Sequence, residues 1–186
     1  RAAGFFRADV ETVLDTSKHR GTVVYRIAPH EPYKFDTLKI CTSPAALCDT
    51  ILAAQRADPI INRGQLFRRA TLKEARHNAA EYFNTRGYYY FRPEFTYFQA
   101  DSSDGDHGVD VRWQVREGLP STVTSVYTIE DVTINLAANS DNTESIGDSI
   151  KVVIDRDHLF LKPRKLLPFI AYQPGQRYNF KDEEVT

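Results

Sequence analysis

The sequence predicts an α+β fold built from tandem β-α-α-β-β repeats, and three observations carry that prediction. Glycine followed by two aromatics opens an extended stretch twice, at Gly4-Phe5-Phe6 and at Gly87-Tyr88-Tyr89. Each stretch alternates apolar and polar residues, passes a polar turn and returns as a second alternating run, which is a β-hairpin signature. A different segment, Gly-Gln-x-aromatic, also occurs twice, at Gly64-Gln65-Leu66-Phe67 and Gly175-Gln176-Arg177-Tyr178. Recurrence of this kind marks a repeated supersecondary unit.

The first hairpin sets Phe6, Ala8 and Val10 against Arg7, Asp9 and Glu11, turns over Ser17 to Gly21, and returns as Val23, Tyr25 and Ile27. Phe35 to Ile40 reads as a strand. Ser43 as N-cap and Pro44 in the first turn announce a helix carrying Leu47, Cys48, Ile51 and Leu52, stopped by Asp58-Pro59. Thr71-x-x-Glu74 is a capping box, in which each side chain satisfies an orphan backbone donor. Leu72, Ala75, Ala79, Tyr82 and Phe83 then recur at helical spacing, and Arg86-Gly87 closes the helix.

The second hairpin runs from Tyr88 to Gln99, turns over Asp101 to Gly108, and returns as Val109, Val111, Trp113 and Val115. Pro93 suits an edge strand, because a central strand would lose a ladder bond there. Thr128 to Leu136 reads as another strand, Asn139 to Asn142 as a solvated loop, Ile150 to Ile154 as an extra strand, and a helix begins near Asp182.

The phase of the repeat follows from this order. Residues 1–34 form the closing hairpin of a preceding unit, 35–118 a complete repeat, and 119–186 the opening part of a following unit with an insertion near 137–160. A half unit cannot bury its apolar face alone. The flanking pieces are therefore expected to pack on the central unit or on a neighbouring chain.

Composition removes several function classes. The chain has 186 residues, 41% of them hydrophobic, and a formal net charge of −1, so the basic excess of a nucleic-acid binder is missing. No run approaches the ~20 apolar residues that cross a bilayer. The chain opens on Arg1 and contains no Met, which reads as a piece of something longer. Cys41 and Cys48 are too few for a disulfide framework or a cysteine-rich zinc site. Cys48, among Leu47, Ile51 and Leu52, reads as a buried thiol, while a bridge to Cys41 is open if the strand end meets the next helix; the sequence does not choose.

No catalytic constellation stands out. His19, His30, His77, His107 and His158 lie outside any zinc-protease spacing, and neither a Gly-x-Ser-x-Gly elbow nor a phosphate-cradling Gly-Lys-Ser/Thr loop occurs. Asp101, Asp104 and Asp106 lack the spacing and closing glutamate of a calcium loop, so they read as a polar turn. The expectation is a non-enzyme with no metal, cofactor, small-molecule substrate or nucleic-acid partner.

The segment from Gly64 through the helix to Gly87-Tyr88-Tyr89, the hairpin, and the closing Val115-Arg116-Glu117-Gly118 together resemble a POTRA repeat of BamA/TamA-like outer-membrane assembly proteins. Tyr88 to Phe95, Leu161-Lys162-Pro163 and Gln173 to Tyr178 further resemble the TamA-like lipoprotein branch. The resemblance implies a small mixed three-stranded sheet covered by two helices, with the strand opened by Gly-Tyr at its edge. It also implies a periplasmic location, in an outer-membrane-anchored protein of a Gram-negative bacterium whose barrel lies outside this sequence. Its partners would be outer-membrane protein precursors or a periplasmic protein, captured by β-augmentation. The edge residues so implied are Tyr88, Tyr90, Arg92, Glu94, Thr96 and Phe98. The competing reading is a spacer between barrel and partner that touches no client.

Overall fold

Alternation at Val109, Val111, Trp113 and Val115 gives one strand a single apolar face, and a core forms on it. In a computed structural model of the chain all four side chains are buried. The structure describes residues 4–17, 20–103, 107–135, 143–146, 150–153, 165 and 167–183. They fall into two compact units, Arg1–Ala79 with Pro93–Glu117, and Ala80–Arg92 with Gly118–Thr186.

In the first unit a hairpin of β1 (Asp9–Ser17) and β2 (Arg20–Ala28) precedes β3 (Lys34–Ile40), α1 (Ala45–Ala57), α2 (Arg69–Asn84), β4 (Thr96–Asp101) and β5 (Gly108–Val115). The sheet order is β3-β5-β4, with β5 parallel to β3 and antiparallel to β4. The fold is therefore α+β, a β-α-α-β-β unit with a small mixed sheet. The apolar face of α1, made of Leu47, Cys48, Ile51 and Ala54, is buried, and the helix lies against β3 and β5. From α2, Ala75 and Ala79 are buried; the helix then continues into the second unit, where Ala80 and Phe83 are buried.

Two local expectations need correction, and one open alternative is decided. Pro44, not Ser43, is the N-cap of α1, and no side chain caps that end. The second helix starts at Arg69, so Thr71 sits inside it, buried, and cannot act as its N-cap. Cys41, just after β3, and Cys48, in the first turns of α1, are joined in a disulfide with Cα atoms 5.4 Å apart. The short link from strand to helix brings them within bridging range.

Of the two placements expected for the hairpin, packing of its apolar face on the central repeat is not found. Val10 pairs with Ile27, Thr12 with Tyr25 and Leu14 with Val23, so these residues share one face. On that face Leu14 is 63%, Tyr25 65% and Ile27 64% exposed. The physical reason is competition: the apolar face of α1 is already occupied by β3 and β5. The base of the hairpin reaches the core through the Phe6 ring, 4.9 Å from Tyr33 and 5.5 Å from Phe67.

In the second unit β6 (Val132–Asn135), β7 (Thr143–Ile146) and β8 (Ile150–Val153) form a sheet in the order β6-β8-β7. Its central strand is parallel to the first and antiparallel to the second, as in the first sheet. The insertion thus contributes two strands where one was expected. The strand expected from Thr128 is cut short to β6, Thr128 itself making only an isolated bridge to Arg177. The final helix is a single 3-10 turn, Phe180–Glu183. Asn139 to Asn142, Asp104, Asp106, His19 and His158 lie outside the described residues.

Candidate functional site

β4 lies at the edge of its sheet, and its register with β5 decides which backbone groups face outward. Arg116 N–H donates to the Phe95 carbonyl at 2.9 Å, and on the other side of β5 Cys41 N–H donates to the Trp113 carbonyl at 2.9 Å. An antiparallel ladder alternates, so Tyr97, Gln99 and Asp101 bond toward β5 while Thr96, Phe98 and Ala100 point away. Arg76 covers part of this edge, its guanidinium donating to the Thr96 carbonyl at 3.3 Å. Phe98 and Ala100 are left as the open stretch. The opposite edge is closed at the start of β3, where Gly64 N–H donates to the Phe35 carbonyl at 2.7 Å and Phe35 N–H to the Gln65 carbonyl at 2.9 Å.

Of the six residues expected on the edge strand, only Thr96 and Phe98 lie on β4. Tyr88, Tyr90, Arg92 and Glu94 precede it, because the chain there is bonded to itself. Gly87, at φ +91°, ends α2, and Tyr88 N–H donates to the Phe83 carbonyl at 3.2 Å, a Schellman-type closure. The Asn84 amide donates to the carbonyls of Tyr88 (2.7 Å) and Phe91 (3.2 Å). Arg92 donates to Tyr89 and Phe91 carbonyls, both at 2.9 Å. Glu94 sits in the 3-10 turn Pro93–Phe95, its carbonyl accepting from Arg116 Nε at 2.7 Å. Even Thr96 presents no side chain outward, being 1% exposed. Arg76 and Ala100 belong to the edge and carried no signal in the sequence.

The two glycine motifs turn out to be halves of one device, which the chain builds twice. The Gly4 carbonyl accepts from Tyr33 N–H (2.9 Å), and the Gly87 carbonyl accepts from Tyr127 N–H (2.7 Å). Next, the Tyr33 carbonyl accepts from Phe67 N–H (2.9 Å), and the Tyr127 carbonyl from Tyr178 N–H (3.0 Å). The Gln65 side chain accepts from Asn62 N–H at 3.1 Å, and Gln176 from Gln173 N–H at 3.0 Å. An aromatic trio seals each clasp: Phe6, Tyr33 and Phe67 in one, Tyr89, Tyr127 and Tyr178 in the other. Only glycine fits the hinge point, since a Cβ on Gly4 would meet the Phe67 carbonyl at 2.8 Å and the Tyr33 carbonyl at 3.0 Å.

A cleft of about 640 Å³ in the first unit is lined by charged residues, including Glu31, Asp36, Arg63, His107 and Asp110. These groups pair with one another or with neighbours instead of converging on the cleft. Arg63 binds Asp36 at 2.9 Å, Thr37 donates to Asp110 at 2.6 Å, and His107 lies 3.6 Å from Glu31. The Asp101 carboxylate accepts from Ser103 Oγ at 2.7 Å and Ser103 N–H at 3.0 Å. These bonds hold its pKa below the ordinary carboxylate value. Among the described residues no group of three or more His, Cys, Asp or Glu is placed to hold a metal ion. No described helix is long and apolar enough to cross a membrane.

No protein-family model matches this sequence, and no curated protein does either. Solved structures do. POTRA domains 3–5 of Haemophilus influenzae BamA align over 98% of this chain and 60% of theirs, at 12% identity and a TM-score of 0.49. POTRA domains 1–3 of Omp85 from Anabaena align over 98% and 63%, at 13% identity and a TM-score of 0.29. The N-terminal domain of Omp85 from Thermosynechococcus elongatus aligns over 99% and 63%, at 14% identity and a TM-score of 0.30. The chain thus spans less than two thirds of each of these structures. Its fold class rests on its own strand order.

Proposed function

We propose that this chain is a POTRA-type, periplasmic protein-binding module of an outer-membrane protein assembly or translocation factor. In this reading it captures extended client or partner segments by β-augmentation and performs no catalysis. The observation that carries it is the outward backbone of Phe98 and Ala100 on β4, an edge whose donors and acceptors an incoming strand can pair. Main-chain pairing is largely indifferent to side-chain sequence, which suits a module handling many precursors. In the same reading residues 1–34 close a preceding repeat, 35–118 are a whole repeat and 119–186 open the next, within the TamA-like branch.

Proline separates the outward and inward backbone of the edge. Ala100→Pro removes an outward N–H and leaves the bonds to β5 in place, whereas Gln99→Pro removes an inward one. With an extended barrel-strand peptide as probe, Ala100→Pro should lose binding while the amide spectrum of β5 stays native. Undiminished binding by Ala100→Pro would refute edge capture. A specific observation favours the spacer alternative: the duplicated clasp is built from backbone hydrogen bonds within the chain and requires no client. A photocrosslinker at Ala100 that traps no client strand in cells would decide for the spacer. Thr96 is unsuited to that experiment because its side chain is buried.

A further inference from the structure

The second clasp carries something the first lacks. Tyr89, Tyr90, Tyr127, Tyr172 and Tyr178 line a cleft of about 470 Å³ in the second compact unit. The rings stand edge to face: Tyr89 against Tyr90 at 4.8 Å and 89°, Tyr89 against Tyr178 at 4.8 Å and 78°, Tyr90 against Tyr127 at 5.5 Å and 77°. Tyr172 runs nearly parallel to Tyr178, 6.3 Å away at 14°. Such an array presents alternating ridges and slots of aromatic surface. In the first clasp the position after Phe6 is Arg7, and the ring corresponding to Tyr90 is missing.

The polar character of the cleft narrows the ligand. Among the described residues no charged side chain lines it, so those residues offer nothing to a phosphate, a carboxylate or a salt-bridged cation. Tyr172 uses its hydroxyl on the Asn179 carbonyl at 3.4 Å. The hydroxyls of Tyr89, Tyr90 and Tyr127 have no hydrogen-bond partner among the described residues. A neutral aromatic groove rimmed with phenolic donors complements a ligand that is apolar and rich in acceptors.

We infer that this tyrosine cleft binds a proline-rich segment of a partner protein in the polyproline II conformation. Prolines supply flat apolar rings for the slots and remove backbone N–H groups, leaving carbonyl acceptors along a helix of three residues per turn. The Tyr90 and Tyr127 hydroxyls donate to those carbonyls, and the exposed Tyr89 and Tyr90 rings hold the prolines. The preformed helix loses little entropy on docking. The site uses no part of β4, so it stands or falls independently of edge capture.

The test titrates the full chain with a peptide of repeated Ala-Pro-Pro units, followed by the ring resonances of the tyrosines. A Gly-Ser peptide of equal length is the control. Saturable binding of the proline peptide alone is expected. Tyr90→Ala should weaken it about tenfold, and Tyr127→Phe, which keeps the ring, by about 2- to 10-fold. Tyr90 is 46% exposed, so its removal leaves the core intact, and Tyr90→Phe gives a second measure that does not depend on the alanine variant. Binding of the Gly-Ser peptide with equal strength, no saturation up to about millimolar peptide, or unchanged affinity in both Tyr90 variants would each overturn the proposal.

Discussion

Replacing Gly87 by alanine tests whether the clasp is held by backbone geometry or is an incidental contact. Gly87 has φ +91°, and a Cβ there would lie 2.7 Å from Val126 Cγ1, 2.8 Å from Arg177 Cγ and 3.1 Å from the Tyr127 carbonyl. Val126 and Arg177 are exposed and can rotate away, but the carbonyl belongs to the bonded backbone. Left-handed backbone costs an L-residue about 1–2 kcal/mol, and overpacking a close contact adds about 1–3 kcal/mol. The sum, about 2–5 kcal/mol, corresponds to at least about a 30-fold change in the local opening equilibrium, at 1.4 kcal/mol per tenfold. Native-state hydrogen exchange at the Tyr127 amide reads this directly, because its acceptor is the Gly87 carbonyl. Gly64→Ala is the control, since φ is +79° there but nothing lies within 4 Å of a Cβ. It should show the strain alone, about 1–2 kcal/mol, at the Gly64 amide. Tyr127 protection in Gly87→Ala within about twofold of wild type would show that the clasp does not depend on glycine.

Other perturbations probe separate parts of the structure. Replacing Cys41 and Cys48 together by serine opens a loop of sequence separation 7; chain entropy sets the cost near 2–3 kcal/mol, measurable by urea unfolding. Phe83→Ala removes a fully buried ring stacked on Phe91 at 3.8 Å, and should cost about 3–5 kcal/mol by the same measurement. The Asp101 carboxyl should titrate below the ordinary aspartate value, and Ser103→Ala should raise it. Because the folded pKa is depressed, its stabilising contribution is present above the unfolded pKa and is lost as pH falls through the folded one. Carbon-detected titration of Asp101 checks both the direction and the effect of Ser103.

Much of the architecture was legible because it is written in local periodicity. The period-two runs around Val23 to Ile27 and Val109 to Val115 both specify strands, although only the second buries its apolar face. The 3.6-residue spacing of Ala75, Ala79 and Phe83 specifies a helix. The β-α-α-β-β order follows from those elements alone. The start of β4 was not legible. Tyr88 to Phe95 is aromatic and strand-like in composition, yet hydrogen bonds from Asn84, Arg92 and Arg116 fold it into turns before Thr96. Propensity counts residue types, and those bonds depend on where α2 ends.

The repeat itself shows the division most clearly. The recurrence of Gly-aromatic-aromatic and of Gly-Gln-x-aromatic can be read along the chain, because each motif is contiguous. That they are two parts of one clasp emerges only in three dimensions, since Gly4 bonds Tyr33 and Tyr33 bonds Phe67, and Gly87 bonds Tyr127 and Tyr127 bonds Tyr178, only after the intervening strands and turns have folded. The parallel pairing of β3 with β5 and the exposed face of the first hairpin belong to the same class. Each depends on contacts between residues far apart in the chain, which packing across the whole unit settles.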